Sequence, residues 1–161
     1  MREELKDLTS ESRHEFVGKF SRSGFKSDFI ATTGVTVYKP TLVLTDVVLA
    51  SSNEQVSDHL WFNYTKGFLK LGELHEGDLI KFTARVNNYS TSKKTDYKLS
   101  YPRKISRVDK GSSGKPMPVD NNKALIGYIM EKNKEFYQAN NRPYDSWYVD
   151  QYNDWQKSLS N

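Results

Sequence analysis

DHLWFNYTKGFLKLGELHEGDLIKFTARVNNYSTSKKTDYKLSYPRKISRV, residues 58–108, decides how this chain is read. DHLWFNY (58–64) places Leu60, Phe62 and Tyr64 in one row and His59, Trp61 and Asn63 in the other. Successive side chains of a strand point to opposite faces, so one row is core and the other is not. TKGFLKLGEL predicts one short helical segment, and HEGD (75–78) a turn built on Gly77. LIKFTARV (79–86) alternates again, with Ile80, Phe82, Ala84 and Val86 opposite Lys81, Thr83 and Arg85. NNYSTSKKTD is a polar loop, and YKLSYPRKISRV (97–108) is a further strand that Pro102 should bend.

Working outward, HEFVGKF (14–20) suits a first strand, and PTLVLTDVVLA (40–50), β-branched and apolar, a buried second one. Between them SRSGFKSDFIATTGVTVYK (21–39) is rich in small polar residues and predicts a long hairpin reaching away from the body. Residues 1–12 are polar and read as a short helix or a frayed end. DKGSSGKPMPVDNN (109–122) has Gly, Ser and Pro without period and reads as a linker. KALIGYIMEKNKEFYQA (123–139) carries a helical stripe of Leu125, Ile129, Met130, Phe136 and Tyr137; NNRP breaks it, and residues 144–159 form a second helix. The expected fold is mainly β with α. It has a five-stranded barrel over 13–108 with a short helix between strands three and four, which is the order of an OB fold, and then an aromatic-rich helical extension over 123–161. An SH3-like barrel is the nearest alternative.

A chain of 161 residues can bury one core and carry a tail besides. It has no cysteine, which excludes disulfides and thiolate metal sites and suits a reducing cytoplasm. The start, MREELKDLTSES, is too polar for a signal peptide, and no apolar run approaches the roughly 18 residues of a membrane span. The net charge of +4 is unevenly spread. From Leu79 to Lys110 nine cations face only Asp96 and Asp109, a balance of +7, whereas the segment from Asp120 to the end has five cations and six anions. Such a local field is the footprint expected for an anionic partner. Catalysis finds little support. His14, His59 and His75 are scattered without metal-ligand spacing, and GSSGK (111–115) lacks the preceding strand and spacing of a phosphate loop. Asp58 and His59 are adjacent on a strand and so point apart. No enzyme activity, cofactor or metal is expected.

Residues 14–108 resemble the OB domain of the bacterial single-stranded-DNA-binding protein family. The resemblance rests on His59 within the aromatic strand DHLWFNY, the short helix after it, Gly77 opening the alternating strand GDLIKFTARV, the loop and strand NNYSTSKKTDYKLSYPRKI, and ATTGVTVYKPTLVLTDVVLAS as second strand and lead-in. It implies an OB fold and binding of single-stranded DNA. The chain departs from the family pattern at Asp58, where an aromatic is usual, and in ending on aromatic helices and LSN rather than an acidic tail. Family-style recruitment of partners and tetramer formation are therefore not carried over. Small and rich in Lys, Asn and Tyr, the chain also resembles proteins of phages and mobile elements.

Unpaired nucleic acid is held by rings that stack on bases and cations that meet phosphates. The candidates are Trp61, which needs a reason to stand opposite Leu60 and Phe62, and Tyr64, which the resemblance makes a stacking residue and its row makes core. On the fourth strand and beyond they are Lys81, Arg85, Tyr89, Lys93, Lys94, Tyr97, Lys98, Arg103 and Lys104; in the long hairpin, Arg22, Phe25 and Lys26. The bland readings are a solvated cationic face, tyrosines that pin a hairpin, and a Phe25 that packs on the C-terminal helices. Tyr148, Tyr152 and Trp155 follow an i, i+4, i+7 spacing suited to packing on the barrel, to pairing with a second copy, or to capturing a protein. The expected partner is single-stranded nucleic acid, DNA in preference to RNA. The alternative is an inhibitor or adaptor of phage or mobile-element type that binds a host or replication protein through the barrel or the C-terminal helices, and a homo-oligomer is compatible with either.

Overall fold

The computed structural model describes residues 13–90, 95–108 and 115–159, without the side chains of 87–90 and 95–98. Five antiparallel strands form one sheet: β1 (Arg13–Ile30), β2 (Val35–Leu49), β3 (Gln55–Asn63), β4 (Leu79–Ser90) and β5 (Thr95–Arg107). Their order across the sheet is β3-β2-β1-β4-β5. Helix α1 (Lys66–Leu69) follows β3, and α2 (Asn122–Lys132), α3 (Lys134–Ala139) and α4 (Ser146–Leu159) follow the sheet. The mainly-β class with five strands, the helix between strands three and four and the C-terminal helices stand as the sequence predicts. The closed barrel does not: among the described residues β3 and β5 pair with nothing on their outer edges.

The sheet is nevertheless strongly curled. β3 and β4 are separated by two strands, which in a flat sheet puts them ~14 Å apart. Yet the rings of Phe62 on β3 and Phe82 on β4 lie 5.4 Å apart, centroid to centroid. Phe16 on β1 stacks on Phe82 at 5.9 Å, and Phe68 of α1 meets Phe62 at 5.9 Å, so α1 plugs one end of the rolled sheet. The rows Leu60/Phe62 and Ile80/Phe82/Ala84/Val86 all turn into this core.

β1 serves two neighbours. Arg13–Lys19 pairs with β4, and Phe16–Ile30 runs against β2, out to Ile30 opposite Val35. Past Gly24 the pair leaves the body as a two-stranded arm turned at Ala31–Gly34, and residues 26–36 are exposed throughout. The long hairpin expected over 21–39 is thus realised, as continuous paired strand. Gly18 lies where β1 crosses the core most closely; a Cβ there would sit 3.0 Å from the Cβ of Leu44.

The C-terminal helices share one core with the sheet. Every residue of α2 from Ala124 to Met130 is buried, which removes the one-sided stripe expected there, and Phe136 of that stripe is exposed. Asn121 caps α2 by accepting from the Ala124 amide at 3.1 Å. The expected single helix 123–139 breaks at Asn133, whose side-chain amide donates to the carbonyls of Ser23 and Ile129. The second half of the expected linker is packed: Met117 is buried, and the Lys115 carbonyl accepts from the Glu73 amide at 2.8 Å.

Candidate nucleic-acid interface

Where the rolled sheet stays open, a cleft of about 880 Å³ runs between the edges of β3 and β5. Its β3 wall is Trp61, Phe62 and Asn63, continued by Thr65 at the start of α1; its β5 wall is Leu99 to Arg103. Phe25, Lys26 and Thr41 from the base of the arm and Arg142 from the α3–α4 connection complete it. Among the described residues no carboxylate lines the cleft. Among the described residues Lys26, Arg103 and Arg142 form no ion pair, so their charge is available to a ligand.

The β5 wall is shaped by two bulges. Between Thr83 and Arg85 on β4, β5 advances from Arg103 to Ser100, and between Lys81 and Thr83 it advances from Ser106 to Arg103; each step contains one residue too many. Tyr101 and Lys104 absorb the excess at φ of 55° and 52°, a region that residues with a Cβ seldom occupy. Bulges of this kind re-aim side chains at sheet edges. Here they leave Tyr101 65% exposed across the cleft from Trp61, which is 46% exposed. Pro102 sits on an edge strand, where its missing N–H is harmless.

The predicted residues divide. Trp61, Lys26 and Arg103 come together in the cleft. Arg22 lies beside it, its guanidinium 5.4 Å from the Trp61 ring and 5.0 Å from that of Phe136. Two stacking candidates are corrected. Tyr64 is buried within the row its spacing assigned to core, and burial beside the Glu73 carboxylate raises its hydroxyl pKa. Phe25 offers the cleft only part of its ring, which packs on Tyr38 at 4.7 Å and on Tyr137 at 5.5 Å. Lys81, Arg85 and Lys104 are exposed but stand outside the cleft. Lys93 and Lys94, and the side chains of Tyr89, Tyr97 and Lys98, lie outside the described residues. Arg107, part of the +7 window, is spent internally on Asp78 and on the Leu71 and Glu73 carbonyls.

The stripe of α4 turns inward. Tyr148 meets Tyr38 at 5.5 Å, Tyr152 meets Tyr128 at 5.4 Å, and Trp155 stacks on Tyr152 at 6.1 Å. All three are half-buried, and packing is their observed use.

Sequence reasoning missed Tyr101, Asn63 and Arg142 as cleft residues. Tyr101 carried a signal, a ring beside a proline in a cationic edge strand; Arg142 carried none, because only tertiary packing brings the NNRP break to β3. Among the described residues no group of three His, Cys, Asp or Glu is placed to hold a metal, and no helix is long and apolar enough to cross a membrane. The sequence matches no protein-family model and no curated protein.

Proposed function

We propose that this chain is a non-enzymatic binder of single-stranded nucleic acid, DNA in preference to RNA, that seats the strand in the cleft between β3 and β5. The observation that carries the reading is the makeup of that cleft: an exposed ring stands on each of its two walls, with three cations that form no ion pair and no carboxylate among the described residues that line it. Each base that stacks on a ring contributes about 1–3 kcal/mol whatever its identity, and each phosphate met by a cation adds a salt-sensitive increment. A cleft open along its length admits a flexible single strand more readily than a rigid duplex.

The same reading makes the fold an OB type. A long first strand shared between β2 and β4, a β1-β2-β3 meander, a helix before β4 and the order β3-β2-β1-β4-β5 are what such a barrel presents when its third and fifth strands stay unpaired. Resemblance to the single-stranded-DNA-binding family supports it in turn.

Fluorescence anisotropy with labelled oligo-dT and a duplex of equal length, each at several salt concentrations, tests the proposal. Preference for the single strand and a steep loss of affinity with salt are expected; no preference, or no salt dependence, overturns it. One observation favours the alternative of an interaction protein: Phe29, Ile30 and Val35 are exposed at the tip of the arm. A chain that binds no oligonucleotide but crosslinks to a protein through that tip would establish the second reading.

A further inference from the structure

Three arginines from three neighbouring strands converge on the outer face of the sheet, beyond the cleft. Arg13 of β1 stands opposite Arg85 of β4 in register, and Arg103 of β5 stands opposite Thr83, two residues before Arg85. Three adjacent strands span only ~10 Å. Arg13 is held in place: its Nε donates to the Thr83 hydroxyl at 3.2 Å, and its Nη2 donates to the Thr83 carbonyl at 2.7 Å and to the Tyr101 carbonyl. That leaves both N–H donors of Nη1 without a partner among the described residues. No ion pair among the described residues engages any of the three arginines. Glu15, exposed opposite Thr83, is the nearest acid in register and accepts from none of them. Partial burial of Arg13, and then the charges of Arg103 and Arg85, lower its pKa, as uncompensated crowding should.

We propose that Arg13, Arg85 and Arg103 form a phosphodiester clamp, over which a single strand leaving the cleft passes across the edge of β5 onto the outer face of β4. Arg103 belongs to both sets, since it also lines the cleft, so cleft and clamp are continuous. Guanidiniums suit this position because Arg85 and Arg103 can each donate two parallel N–H bonds to one phosphate, while Nη1 of Arg13 offers its two remaining N–H groups singly. Arg13 is pre-organised by its bonds to Thr83 and Tyr101, which lowers the entropy lost on binding. The carbonyls it holds also give Arg13 a structural role at the β5 bulge. Among the described residues Arg85 and Arg103 carry no such side-chain bond, so the clamp is tested on them.

The inference rests on single-strand binding by the cleft, and the experiment separates the two. Salt titrations of oligo-dT binding are compared for the unaltered chain, R85Q/R103Q, and K70Q/K115Q, which removes equal charge from two exposed lysines outside both sites. The clamp predicts that R85Q/R103Q makes the slope of log K against log salt shallower by about 1.4, two contacts at about 0.7 each on single strands, with K70Q/K115Q unchanged. A slope change of no more than about 0.7, which the loss of the cleft residue Arg103 would give by itself, overturns the clamp and leaves the cleft standing. A loss confined to duplex binding also overturns it. Absence of oligo-dT binding by the unaltered chain overturns cleft and clamp together.

Discussion

Trp61 and Tyr64 lie three residues apart, and the period of a strand sends them to opposite sides: Trp61 to the cleft, Tyr64 into the core. The alternation of 58–64 already implied this, and where family likeness made Tyr64 a stacking residue, the alternation was the better guide. Two substitutions separate the roles. Trp61→Ala should weaken oligo-dT binding by about 1–3 kcal/mol, the worth of one stacked base, with little change in thermal stability because the ring is 46% exposed. Tyr64→Phe keeps the buried ring and should leave affinity unchanged. Anisotropy and thermal melts on both variants check this, and equal affinity losses would mean that the cleft assignment is wrong. The corrections at Tyr64 and Phe25 and the omission of Tyr101 share a cause: exposure of a ring depends on which elements pack over it, and local sequence does not record that.

At the scale of elements most of the fold was legible. Strands two to five, the short helix and the helical character of 123–139 and 144–159 follow from periods of 2 and 3.6 with Gly, Pro and Asn as punctuation, though not the break at Asn133. The failures were non-local. Nothing in NNYSTSKKTDYKLSYPRK announces two bulges, and nothing in 123–139 shows that α2 is buried on every side. Gly127 explains how α2 can be: a Cβ there would lie 1.9 Å from the Tyr148 carbonyl oxygen, so α2 and α4 touch backbone to backbone. Gly127→Ala should therefore separate the helices and destabilise the protein by about 1–3 kcal/mol or more, read as a fall in the urea midpoint; an unchanged midpoint would mean that α4 is not docked as described. The arm makes the opposite prediction. Phe29 and Val35 are 64% and 52% exposed, so the double change F29S/V35S should shift stability by no more than about 0.5 kcal/mol. A marked drop in the melting temperature would show that the tip is covered in solution.

For the molecule as a whole, the sheet, the segment after α1 and the C-terminal helices meet at Glu73. Its carboxylate accepts from the Tyr128 hydroxyl at 2.9 Å and lies 3.2 Å from the Lys132 ammonium, both on α2, while His75 approaches at 3.4 Å. Arg107 of β5 donates to the Glu73 carbonyl at 2.8 Å and pairs with Asp78 at 3.0 Å. Burial alone would raise the pKa of Glu73; the bonds from Tyr128 and Lys132 and the charges of Lys132 and His75 outweigh it, and the pKa is lowered from the usual 4.5. A carboxyl that ionises more readily folded than unfolded adds stability above the unfolded value. That stability is complete above about pH 4.5 and disappears as pH falls through the lower folded value. Glu73→Gln should thus cost about 1–3 kcal/mol at neutral pH, where a charged acceptor of a buried hydroxyl is lost. It should cost progressively less below pH 4.5, so the stability curves of variant and unaltered chain converge in acid. Urea titrations at pH 7, 5, 4 and 3 measure the gap. A gap that stays constant across that range would mean that the charge of Glu73 does not join helices to sheet, and that its contribution is packing alone.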